Sequence, residues 1–130
     1  NLGRLYADPV AADDPEKVVV LQEAIGDCQV ANITTDLLAR TIGASHLETA
    51  TDPVFGLDTV PAPATGIVLT QIRVPGDIDA FVPPDENTTP VTDNGVHNSA
   101  VLRENIFEQI QVLLSTGEVI HPCDGPCDPE

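Results

Sequence analysis

Basic residues are scarce. Lys17 is the single lysine, and five Lys and Arg stand against 21 Asp and Glu, for a net charge of −16. Phosphate contacts need clustered Arg and Lys, so this balance argues against nucleic acid as a partner, and equally against an anionic membrane surface. It predicts a self-repelling acidic exterior of the kind that suits a salty medium. Aromatics are few as well: one Tyr, three Phe and no Trp. The core must therefore rest on Val, Ile, Leu and Ala. No apolar run approaches the roughly 18 residues that a membrane span needs. The sequence opens on Asn1 without a signal-peptide pattern, so the expectation is a processed product or a piece of a longer protein. Serine is also rare, with Ser45, Ser99 and Ser115 as the three copies.

What is present is enough for a core. Of 130 residues, 42% are apolar, which suits one domain or part of one rather than a disordered tail. Three stretches are expected: a lead-in loop over 1–17, a β-α-β-α core over 18–117 and a cysteine-containing tail over 118–130. The run VVVLQ, residues 18–22, does not alternate and predicts a strand buried on both faces, as in a parallel sheet. Gly26–Asp27 turns the chain. Asn32 is placed to cap a helix whose apolar positions Ile33, Leu37, Leu38 and Ile42 follow at helical spacing. Gly43 is placed to end it.

Residues 44–65 are less regular; PVFGLDTVPAP is expected to hold one short extended piece, and its three prolines argue against a central strand. GIVLTQIRV, residues 66–74, is a second strand, rich in β-branched residues and stopped by Pro75–Gly76. A long acidic loop with Pro83, Pro84 and Pro90 follows. Ser99 is placed to cap a helix over 100–116, with Leu102, Ile106, Phe107, Ile110, Leu113 and Leu114 as one stripe and Gly117 as its stop. EVIHP is a short extended piece. The order strand, helix, strand, helix defines the class as α/β, a mainly parallel sheet with covering helices. Two strands alone leave an unpaired edge that invites self-association.

In open α/β sheets, ligands bind at the carboxyl ends of the strands. Asp27 falls just past the first strand, and His97, in DNGVHNSA, falls between the second strand and the last helix. A carboxylate at that edge can hold an imidazole in one tautomer and stabilise its protonated form. The imidazole can then move a proton from a nucleophile to a leaving group. Read alone, Asp27 is a turn residue and His97 a loop residue; their shared edge is what makes them a candidate pair.

IGDCQV with Asn32, followed by DNGVHNSA, resembles the C-terminal part of the α/β-hydrolase fold, where a triad runs Ser, then Asp or Glu, then His. The first segment is similar to the loop after that family's seventh strand, and the second to the loop after its eighth. The end of the chain, from DNGVH to CDGPCDPE, is similar to exported bacterial lipases and esterases. The resemblance implies a carboxylic ester hydrolase, secreted or held in the cell envelope, with Asp27 as acid and His97 as base. Ala31 stands where the family has Pro, and Gly26 directly precedes the acid; Glu23 and Asp93 are the alternative acids. The family's nucleophile lies in G-x-S-x-G. Ser45, in GASHL, lacks the second glycine and a following helix; Ser99 and Ser115 read as helix-end residues. The resemblance thus implies an upstream segment of the same hydrolase as the partner that brings the serine, and an ester or lipid substrate.

The competing expectation is a small acidic, non-enzymatic α/β binding module. No cofactor is implied. Cys123 and Cys127, around a Gly-Pro turn, suit a disulfide of an exported protein; with His121 they make three metal ligands without a fourth, and no metal is expected. Cys28 reads as a packing residue, and His46 as an exposed one. Asp77, Asp79, Asp85 and Glu86 carry carboxylates without Ca²⁺-loop spacing.

Overall fold

The structure, a computed structural model, describes residues 17–74, 93–125 and 127. The lead-in over 1–16, the stop at Pro75–Gly76, the three loop prolines and the carboxylates Asp77, Asp79, Asp85 and Glu86 lie outside the described residues.

The chain is α/β. Strand β1 is Val19–Ile25, β2 Ser45–Leu47, β3 Thr59–Val60 and β4 Ile67–Arg73; helix α1 is Asn32–Ile42, α2 Val96–Val101 and α3 Glu104–Thr116. The strands form one sheet in the order β1-β4-β2-β3, and every named pair is parallel. Pairing of β1 with β4 runs from Val19 opposite Ile67 to Ile25 opposite Arg73. Among the described strands β4 is internal and β1 has one partner, which is the open edge expected of it.

Both faces are covered. Side chains alternate across a strand, so Leu21, Ile67 and Leu69 pack with Ala39 and Ile42 of α1. Val20 and Val68 point the other way and pack with Leu47, Val119 and Leu113 of α3. Gly43 ends α1 with φ of 73°, the left-handed value that glycine adopts without strain; Gly117 ends α3 in the same way.

Several expectations need correction. The short extended piece expected in PVFGLDTVPAP is β3, at one end of the sheet, but β2 is a further strand that the expectation lacked. His46, expected at the surface, is 2% exposed in β2. The last helix is two helices, broken at Leu102–Arg103, and Ser99 lies inside α2 without a side-chain capping bond. Asn32 does not cap α1 either. It is the first helical residue, and its side chain turns back to β1. The apolar stripes are also only partly buried. Ile106 and Ile42 are covered, but Ile33, Leu37, Leu102, Phe107 and Leu114 are exposed. The buried seam of α3 instead carries Gln109, whose Nε2 donates to Thr70 Oγ1 and to the Ile120 carbonyl, and whose Oε1 accepts from Gln22 Nε2.

Cys123 and Cys127 form a disulfide, a bond that fits an extracellular protein. It fastens the tail under the sheet, where both cysteines pack with Ile72 and Ile106 and Arg73 N–H donates to the Cys127 carbonyl. EVIHP contributes a two-way backbone bridge between Val119 and Ala64. Among the described residues, no helix is long and apolar enough to cross a membrane.

Burial predicts how substitutions divide. Leu69, fully buried in the internal strand, should cost about 2–5 kcal/mol as Leu69→Ala. Leu114, 82% exposed, should change stability by less than about 0.5 kcal/mol as Leu114→Ala. Denaturant midpoints at constant m-value check both.

Candidate functional site

Asp27 and His97 meet at the carboxyl edge of the sheet. β1 delivers the first: the chain leaves Ile25 and turns at Gly26, whose φ is 82°. Asn32 braces this turn. Its Oδ1 accepts from Gly26 N–H and its Nδ2 donates to the Ala24 carbonyl. α2 delivers the second. Val96 and Ala100, one helical turn apart, bury against Val74 and Ala24, which seats the short helix on the strand ends with His97 beside the turn.

The contact itself is 2.7 Å, between His97 Nδ1 and Asp27 Oδ2. The Asp27 side chain is 7% exposed and that of His97 35%. Asp27 Oδ1 accepts from the N–H groups of Gln29 at 2.8 Å and Val30 at 3.0 Å. The carboxylate is therefore both the turn residue and the imidazole's partner; the two sequence readings of Asp27 describe one arrangement. An ionised carboxylate only accepts, so opposite a carboxylate Nδ1 is the donor, and a neutral imidazole in that tautomer has its lone pair on Nε2.

Asp27 and His97 share a cleft of about 180 Å³ with Glu23, Val30, Thr35, Val101 and other residues. Binding pockets for whole ligands are usually larger, about 300–1,000 Å³. A cleft of this volume has room for water or for one group of a larger ligand. No serine lines it: Ser45 is in β2, Ser99 in α2, and Ser115 at the end of α3, where its Oγ donates to the Val112 carbonyl.

The alternative acids are occupied elsewhere. Asp93 Oδ2 accepts from Gln29 Nε2, and Oδ1 accepts from Gly95 N–H; that backbone bond, above all, holds its carboxyl below the usual range. Glu23 lines the cleft, but its Oε2 accepts from Gln71 Nε2 at 2.8 Å. It is 2% exposed, and burial pushes its carboxyl from 4.5 to about 7 against the opposing pull of Gln71, with Asp36 and Asp52 adding to the rise. Glu23 Oε1 and Asp36 Oδ1 are both buried without a donor. A proton on Glu23 turns one of these acceptors into a donor. Sequence periodicity did not reveal this group, because Glu23 sits in an apolar strand and its partner Gln71 lies 48 residues away. His46, on β2 beyond β4, has its imidazole pushed down by burial and its Nε2 without a partner.

His121 Nδ1 lies 2.7 Å from the Cys123 carbonyl, and the sulfurs are joined to each other, so the metal reading has lost its thiolates. Among the described residues, no group of three or more His, Cys, Asp or Glu is placed to hold a metal ion. Cys28 is buried, as expected of a packing residue. Compared with family models, curated proteins and solved structures, the chain finds no match.

Glu23 makes stability fall with rising pH. Its folded value lies above 4.5, so between the two values the folded state holds the proton and the unfolded state has released it. The stabilisation is full below about pH 4.5 and is lost by about pH 7, a swing of about 3 kcal/mol. Urea unfolding of the native chain and of Glu23→Gln across this range checks it. The difference between the two should shift by that amount as pH rises, the native chain losing ground.

Proposed function

We propose that this chain supplies the acid and the base of a serine hydrolase acting on carboxylic esters, with the nucleophile and oxyanion-hole donors on an upstream segment. One observation carries the reading: the 2.7 Å bond from His97 Nδ1 to an Asp27 whose second oxygen is held by two backbone N–H groups, at the carboxyl edge of a parallel sheet. It is the acid–base half of a triad. The resemblance of IGDCQV and DNGVHNSA to α/β-hydrolase loops supports the same assignment. The disulfide is in keeping with an exported protein.

In this reading His97 Nε2 takes the proton of the serine hydroxyl as its oxygen attacks the ester carbonyl. The tetrahedral intermediate collapses with breakage of the ester C–O bond, and the imidazolium gives its proton to the departing alcohol. Water then repeats the two transfers on the acyl-serine and releases the acid. Asp27 stays ionised throughout and stabilises the imidazolium. The small cleft fits this division of labour, since the substrate's bulk would rest on walls that the upstream segment provides.

The second reading is a non-enzymatic acidic binding module. It is favoured by the covering of both sheet faces from within the chain. The exposed Ile33 and Leu37 of α1 and Phe107 and Leu114 of α3 lie on opposite sides of the sheet and do not distinguish the two readings.

The test is ester hydrolysis by the complete protein. His97→Ala and Asp27→Asn should each lower kcat by about 10³–10⁴-fold or more, since triad members act as a unit. The 130-residue chain alone should give no serine-dependent turnover. Undiminished hydrolysis in His97→Ala, or serine-dependent turnover by the chain alone, would sink the proposal.

A further inference from the structure

The Asp27 turn and the His97 loop are fastened to each other by more than the carboxylate–imidazole bond. Asn94, half-buried and three residues before His97, lies at the centre. Its Nδ2 donates to the Gly26 carbonyl at 2.7 Å, across 68 residues of sequence. Its Oδ1 accepts from Val96 N–H at 3.2 Å and from the Cys28 thiol at 3.2 Å. Its own N–H donates to Cys28 Sγ at 3.3 Å. Gly26 and Cys28 flank Asp27, and Val96 adjoins His97. Asn94 therefore bonds the residues on both sides of the acid and the residue just before the base. Asp93 adds an exposed bond from Gln29 at the rim, and its Oδ1, 3.6 Å from Cys28 Sγ, is a longer second acceptor for the thiol hydrogen.

We propose that Asn94, seated on the buried Cys28 thiol, is the positioning residue for His97, setting the imidazole on Asp27. An amide suits the place because it donates to a carbonyl with one atom while accepting from an N–H and a thiol with the other. No other standard side chain of that length offers both. A thiol suits position 28 because it is small and apolar enough to be buried beside the acid, yet it still offers a weak donor and a weak acceptor. Its role is that of a seat for Asn94. The kinetic consequence rests on the hydrolase reading; the geometric one does not.

The test has two readouts. The first is the low-field proton NMR resonance of the His97 Nδ1 hydrogen in the complete protein, with the ring resonances of His46 and His121 as internal reporters of fold. Asn94→Ala should broaden or abolish the His97 signal and leave the reporters in place. Cys28→Ser, which keeps a donor and an acceptor, should retain it. The second readout is ester hydrolysis. Asn94→Ala should lower kcat by about 10–100-fold, the scale of an ångström-sized misplacement, with KM within about twofold, and Cys28→Ser by less than about threefold.

Three results overturn the proposal. One is an unchanged His97 signal in Asn94→Ala. Another is a simultaneous shift of all three histidines in both Asn94→Ala and the milder Asn94→Ser, which would make Asn94 general cement. The third is a KM change without a kcat change. If the His97 signal behaves as expected but the protein hydrolyses no ester, the positioning role stands and the hydrolase reading falls.

Discussion

The parallel pairing of β1 with β4 is the constraint on which the rest depends. Seven residues in register, with Ile25 opposite Arg73, bring both strands to an end at the same edge of the sheet. Whatever follows β1 must then meet whatever follows β4. Asp27 is two residues beyond the first strand, and His97 stands on the helix seated over the end of the second. Their contact joins positions 70 apart in sequence. A slip of one residue in that register would turn Leu69 and Val68 to the wrong faces. The packing on α1 and α3 therefore guards the geometry at the edge.

The two faces of the sheet do different work around this edge. On the α3 side the polar groups of the strands are satisfied, Gln22, Thr70 and the Ile120 carbonyl all bonding to Gln109, though Arg103 Nε at the start of α3 is buried without a partner. On the α1 side they are not. Glu23, Asp36 and His46 each keep a buried atom without a partner. A half-satisfied polar cluster in a low-dielectric interior is costly, and Glu23 answers by holding its proton. Glu23 also lines the cleft that contains His97.

The class, and the shared sheet edge of Asp27 and His97, were legible in the sequence, and for one reason. Unbroken apolar strands alternating with amphipathic helices imply a parallel sheet, and a parallel sheet has one edge where such loops converge. Asp27 and His97 follow from that topology. The finer structure was not legible. β2 and β3 are three and two residues long, too short for any periodicity. The apolar stripe over 100–116 concealed the break at Leu102–Arg103, because hydrophobic spacing continues across it. Asn32 and Ser99 have cap-forming side chains, but one is used in bracing the Gly26 turn and the other lies within α2. Asn94 lies in a loop without a periodic pattern, and its bonds to Gly26 and Cys28 depend on contacts that no local pattern encodes.

The central claim is that Asp27 and His97 serve a serine that another segment brings to them. The most direct measurement is to treat the complete protein with a fluorophosphonate ester and locate the modified residue by peptide mass spectrometry. The account predicts one labelled serine, in a G-x-S-x-G sequence upstream of Asn1, and loss of that label in His97→Ala. Labelling of Ser45, Ser99 or Ser115, or no serine labelled at all, would contradict it.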